Sequence, residues 1–227
     1  MPYLTTLRFN SHLANIVGSG LFIAACELTF PRYDNKIRPI VAFILYTIGS
    51  VGYILSSLLG LTHEKRKQKT SLGTVLFLVA STMFLLGSLL CFSSEAINLK
   101  LPQMFWMVGS AIYLFGSVHT TYRHRKEFSA SYPLYMSGNI SLVFSGALFC
   151  CGGASFMITG RQYSNTGSVL WIVGCVFASI SSILFGIGDI LLILKQDQKD
   201  KLPLINNDLS PPRKSRSEVH TSDEATN

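Results

Sequence analysis

Long apolar runs recur along the chain, each broken by a short polar interval. Six stand out, at residues 11–30, 40–61, 72–92, 101–121, 132–158 and 166–194. A helix crossing ~30 Å of hydrocarbon needs about 20 mostly apolar residues, and every run reaches that length. The polar intervals are too short to fold as domains. The fifth and sixth runs exceed what a bilayer requires, which predicts tilt or projection beyond it. The pattern predicts an all-α polytopic membrane protein. Residues 1–10 form a cytoplasmic N-terminus, and residues 11–194 form six transmembrane helices as three antiparallel hairpins (11–61, 72–121 and 132–194). Residues 195–227 form a disordered C-terminal tail. No cleavable signal peptide is expected, because no basic cluster precedes the first run.

Within the runs, small and short polar residues repeat. Each helix carries two small pairs seven residues apart: Gly18-Ser19 with Ala25-Cys26, Gly49-Ser50 with Ser56-Ser57, and Ala80-Ser81 with Gly87-Ser88. The later helices have Gly109-Ser110 with Gly116-Ser117, Gly138-Asn139 with Ser145-Gly146, and Gly174-Cys175 with Ser181-Ser182. An aromatic stands three residues before the first pair in five of the six (Tyr46, Phe77, Trp106, Tyr135 and Trp171), and Asn15 takes that place in the first. Seven residues is two helical turns, so both pairs lie on one stripe. Lipid provides no hydrophobic drive between helices, and close backbone approach through small residues does the work instead. Gly18, Gly49, Gly87, Gly109, Gly116, Gly138, Gly146 and Gly174 are the expected helix-packing positions.

The second, fourth and sixth helices read alike, with Gly49, Gly109 and Gly174 recurring about every two helices. A two-helix unit with Gly-Ser in each helix, the second reading aromatic-x-Ile/Val-Gly-Ser, resembles the small YrhK-type integral-membrane domain. Three tandem copies would cover residues 12–194, the third departing with Gly138-Asn139 and Gly174-Cys175. The resemblance implies architecture alone, since no activity of that family carries over.

Composition and charge narrow the function. The chain is 48% hydrophobic and 14% charged, with a mean hydropathy of +0.38, where soluble domains are nearer about 25% charged. That excludes a soluble enzyme and, despite a net charge of +7, a nucleic-acid reader. Arg8, the basic residues of the HEKRKQK and YRHRKE intervals and those of the tail lie on one side, fourteen against five on the other. The positive-inside rule then places both termini in the cytosol. The basic intervals also suit anionic lipid, at roughly 1 kcal/mol per charge. The five cysteines lie within spans without metal-ligand spacing and read as packing residues. Asn139-Ile140-Ser141, inside a span, is expected to carry no glycan.

Ionisable groups within spans are costly and mark functional sites by default. Asp189, beside Gly186 and Gly188, is the main candidate. It reads either as a proton- or cation-linked transport site or as an interfacial carboxylate partnered by a loop Lys or Arg. Glu27 and Glu95 fall near helix ends, where water reaches them. The histidines lie at ends, loops and tail, which disfavours paired haem ligation. No catalytic triad, zinc motif or phosphate loop stands out, so no enzyme activity and no cofactor are expected.

The tail changes composition abruptly. Within it, Asp200-Lys201-Leu202-Pro203-Leu204-Ile205 resembles the acidic dileucine sorting signals of eukaryotic membrane proteins. Asp200 would meet a basic patch while Leu204 and Ile205 fill an apolar pocket. The resemblance implies a clathrin adaptor as partner and an endosomal, lysosomal or vacuolar address, with the plasma membrane as the alternative. The sequence thus leads to a non-enzymatic multi-pass protein of endolysosomal or vacuolar membranes with a packing, organising or accessory role. The competing reading is a small-solute or proton-linked transporter or channel using Asp189.

Overall fold

The structure, a computed structural model, describes residues 2–29, 37–66, 71–93, 95, 97, 100–127, 133–159 and 165–208. Among them run six long helices: α1 (Pro2–Leu28), α2 (Ile37–Arg66), α3 (Leu72–Leu90), α4 (Leu101–Glu127), α5 (Pro133–Thr159) and α6 (Asn165–Asp208). Each holds a segment long and apolar enough to cross a membrane: Thr6–Leu28, Arg38–Arg66, Leu72–Leu90, Leu101–Arg123, Pro133–Thr159 and Asn165–Leu194. Pro2, Pro39, Pro102 and Pro133 lie in first turns, where the missing N–H has no intrahelical partner and the ring presets φ. At the start of α3 the Ser71 N–H donates to Glu64 Oε2 at 2.7 Å.

Two boundaries differ from the sequence reading. α1 begins at Pro2, so most of residues 1–10 are helical, and α6 runs on to Asp208. Residues 195–208, expected to be disordered, are therefore helical, and Asp200, Leu204 and Ile205 lie on these last turns. Hydropathy marks where a chain leaves lipid, whereas the strong helix formers Lys, Gln and Leu carry α6 beyond it, with one ladder bond lost at Pro203. Residues 209–227 lie outside the described residues.

The chain divides into two units, Met1–Asp189 and Ile190–Asn227. In its described residues the second is the end of α6, to Asp208. The first is a bundle in which each helix packs on the next, from α1 on α2 through α4 on α5. α5 meets α6 where Phe149 lies against Gly174. α6 returns to α1 through Ser182 with Asn15 and Ser168 with Thr29, closing a ring. Neighbours run antiparallel: Phe22 lies at Gly49 and Ser11 at Ser56.

Aromatic rings fill the centre. Trp171, 1% exposed, lies within 5.5 to 6.4 Å (centroid to centroid) of Phe22, Tyr46, Phe84, Trp106 and Phe149. Those five rings come one from each of the other helices. Glycines make room for them at equivalent places. A Cβ on Gly49 would stand 2.6 Å from Phe22, one on Gly109 3.0 Å from Phe84, and one on Gly174 2.8 Å from Phe149. Trp106 likewise lies against Gly87 and Trp171 against Gly152.

These contacts set the register of the fifth helix. With Phe149 in the place of Phe22 and Phe84, the pairs matching Gly18-Ser19 and Ala25-Cys26 are Ser145-Gly146 and Gly152-Gly153. The register read from sequence, starting at Gly138-Asn139, sits one heptad away. Tyr135, which suggested that start, reaches Asp189 instead.

Candidate functional site

The predicted packing glycines all meet another helix. Gly18 faces the backbone oxygen of Gly49, where a Cβ would stand 2.9 Å away, and Gly146 faces the backbone of Leu114 at the same distance. Gly116 takes the ring of Phe77 and Gly138 that of Phe185. By contrast Gly20, two residues from Gly18, has nothing within 4 Å.

Asp189 is the centre of a polar cluster at the end of the bundle where α1 begins. Its Oδ2 accepts from Arg8 Nε at 2.7 Å and lies 3.2 Å from His12 Nε2. Its Oδ1 accepts from the Tyr135 hydroxyl at 2.5 Å. The carboxylate thus ties α1 and α5 to α6. The Asp189 side chain is 13% exposed and that of Arg8 28%, so the pair is largely withdrawn from solvent. The Arg8 guanidinium also lies 5.9 Å from the Tyr135 ring centre, the cation–π arrangement. Helix geometry accounts for the convergence: Arg8 and His12 stand one turn apart on one face of α1. A Cβ on Gly188 would fall 2.9 Å from the Tyr135 ring, so its absence lets that ring lie flat on α6 beside Asp189. At Gly186 the nearest such atom is His12 Cδ2 at 4.0 Å, ordinary contact.

Sequence reasoning looked to a loop cation as the partner of Asp189, yet the partners come from within helices. In the sequence Arg8 is one of the basic residues that set orientation, and Tyr135 is one of the repeat aromatics. The i, i+4 spacing of Arg8 and His12 at the mouth of the first run was the available signal.

A parallel arrangement stands at the α2–α3 junction. Glu64 follows Gly49 by fifteen residues, as Asp189 follows Gly174, and Thr74 precedes Phe84 by ten, as His12 precedes Phe22. Glu64 Oε1 accepts from Thr74 Oγ1 at 2.7 Å, just as Asp189 meets His12. The bonds differ in charge: Glu64 takes neutral donors, Asp189 a guanidinium. They also differ in connection. The chain from Arg66 to Leu72 links α2 to α3, while α6 and α1 belong to opposite ends of the sequence.

The remaining candidates stay apart. Glu27 and Glu95 are exposed. Cys26, Cys91 and Cys175 are buried, Cys150 is half-buried, and Cys151 is exposed. His63 is buried on α2, and His119 Nδ1 on α4 is buried without a hydrogen-bond partner. Among the described residues no three His, Cys, Asp or Glu side chains gather as ligands for a metal. The sorting-signal residues lie on the end of α6, in the second unit. No family model, no curated protein and no solved structure matches the chain.

Proposed function

We propose that this chain is a non-enzymatic multi-pass protein of endolysosomal or vacuolar membranes, with an organising or accessory role. In this reading it is a solid membrane-embedded body of three hairpin repeats, akin to the YrhK-type domain, with both termini in the cytosol. Its tail is the address, read by a clathrin adaptor. The observation that carries the reading is the aromatic centre: Trp171 lies against a ring from every other helix, leaving the bundle axis filled with side chains. A filled axis suits a body that packs against partners and lipid rather than a water-filled pore. The basic asymmetry supports the orientation, and Asp200, Leu204 and Ile205 support the address.

Two measurements test it. Vesicles holding the purified full chain are expected to admit sucrose, Na⁺ and K⁺ no faster than empty vesicles, and entry above that background would overturn the closed body. In cells, Leu204→Ala with Ile205→Ala is expected to move the protein from endolysosomal membranes to the cell surface. An unmoved double variant would overturn the address.

A second reading is favoured by one observation, the carboxylate of Asp189 held by Arg8, His12 and Tyr135 within a span. Such groups recur in proton relays. The chain would then be proton-linked while still closed to larger solutes.

A further inference from the structure

Hydroxyl groups are disposed differently on the two sides of the bundle. On α3 and α4, Ser81, Ser88, Ser110 and Ser117 turn back to the carbonyl four residues earlier on their own helix, at 2.7 to 2.8 Å. Such bonds satisfy the hydroxyl locally and connect nothing. On α1 the polar side chains instead reach across to other helices, at nearly every inward turn.

Beginning at the end that holds Asp189, His12 meets that carboxylate. One turn on, Asn15 Nδ2 donates to Ser182 Oγ at 2.6 Å. The Ser19 and Tyr53 hydroxyls are 2.8 Å apart, and Tyr53 in turn stands 3.8 Å from Cys175 Sγ. The Tyr46 hydroxyl donates to Cys26 Sγ at 3.2 Å. At the far end Thr29 Oγ1 donates to the Cys26 carbonyl of its own helix at 2.7 Å and stands 3.4 Å from Ser168 Oγ. From Arg8 to Thr29 α1 rises about 32 Å at ~1.5 Å per residue, matching the ~30 Å of a hydrocarbon core. Protonatable groups therefore follow the seam of α1 and α6 through the full thickness of a bilayer. Asp189 and His12 are ionisable groups of the kind that mark proton relays in that setting, and the hydroxyls, thiols and amide beyond them bond between helices.

We propose that the α1–α6 seam, bridged by Tyr53 and Tyr46 of α2, is a proton pathway across the membrane, with Asp189 and His12 at one mouth and Thr29 and Ser168 at the other. The groups facing Asp189 are Arg8 and His12 of α1 and Tyr135 of α5. Asp189 Oδ2 lies between Arg8 and His12, so His12 is the first relay group on the path. Each hydroxyl, thiol or imidazole accepts a proton on a lone pair while giving its own to the next. One proton enters, one leaves, and no electron changes hands. Asn15 does not relay. Its amide holds Ser182, and the proton passes through the Ser182 hydroxyl. Transfer between one bonded pair and the next requires the side chains of the seam to move. The aromatic centre keeps solutes out, so the seam selects the one species that moves without a pore. This proposal rests on the proton-linked reading above.

The test uses the full chain in vesicles loaded with a pH-sensitive dye, with proton entry driven by a valinomycin potassium potential. The wild-type chain is expected to acidify the lumen well above empty vesicles. Tyr53→Phe, which keeps the ring and removes the bridging hydroxyl, is expected to slow entry by an order of magnitude, as is Ser182→Ala. Ser110→Ala, whose hydroxyl bonds only its own helix, should leave the rate unchanged. Each variant's elution profile is compared with the wild type, so that lost flux is not misread lost fold. Wild-type entry no faster than empty vesicles would overturn both the proton-linked reading and the pathway. Entry that survives both Tyr53→Phe and Ser182→Ala but falls in Asp189→Asn would overturn the pathway and leave the reading standing.

Discussion

Trp171→Ala is expected to cost about 3–5 kcal/mol, the range for removing a buried Trp or Phe side chain, and to disperse the bundle in detergent. The indole meets rings on all five other helices, so its loss unsettles every interface at once. Phe22, Phe84 and Phe149 cannot collapse into the void without leaving the glycine seats at Gly49, Gly109 and Gly174 that fix their heights. A graded SDS titration reads the effect as an earlier unfolding midpoint. Trp171→Phe separates its causes: it keeps most of the ring contact and loses the Nε1–H donated to the Phe149 carbonyl at 3.1 Å. That bond accounts for about 0.5–1.5 kcal/mol. If Trp171→Ala unfolds at the wild-type midpoint, the aromatic centre is not what holds the six helices together.

Arg8→Met is expected to destabilise the ring closure by roughly 3 kcal/mol, the lower end for a broken buried ion pair, because Arg8 retains 28% exposure. Met fills much of the volume, so the cost is that of leaving the Asp189 carboxylate with His12 and Tyr135 alone. Pairing it with Asp189→Asn removes the stranded charge as well. The double variant should recover most of the loss, which a double-mutant cycle measures directly. If the double variant is as damaged as the single, Arg8 acts through its packing on Tyr135 and not through its charge. The clasp stands at the one junction of neighbouring helices without a connecting segment. Chain connectivity does for α2 and α3 what the Arg8–Asp189 pair does for α6 and α1.

The readable part of the site was its residue types. Asp189 declared itself because a carboxylate in an apolar run violates the period around it. Its partners did not, because Arg8 lies at the edge of a run, where a cation is unremarkable, and Tyr135 is one aromatic among many. The α1 seam was equally quiet. Ser19, Cys26 and Ser182 had already been assigned to the small-residue stripe, and a stripe says nothing of whether a hydroxyl bonds across helices or back onto its own carbonyl. That choice depends on what stands opposite: Ser19 has Tyr53 beside it, whereas Ser81, Ser88, Ser110 and Ser117 bond the carbonyls of their own helices.

The sequence by itself determined the number of membrane-length helices and the seven-residue spacing of their small residues. Both are properties of single helices: an apolar length must match the bilayer, and a period near 3.5 keeps one face toward a neighbour. It did not determine where the helices stop, because helix propensity continues past the lipid boundary, as α6 does to Asp208. Nor did it determine the register of α5, since glycine pairs recur at every heptad there and only the seating of Phe149 at Gly174 selects among them. The closing of the ring, the convergence of five helices on Trp171 and the partners of Asp189 belong to the tertiary structure alone. Each joins residues from both ends of the chain, and no local pattern can specify such a contact.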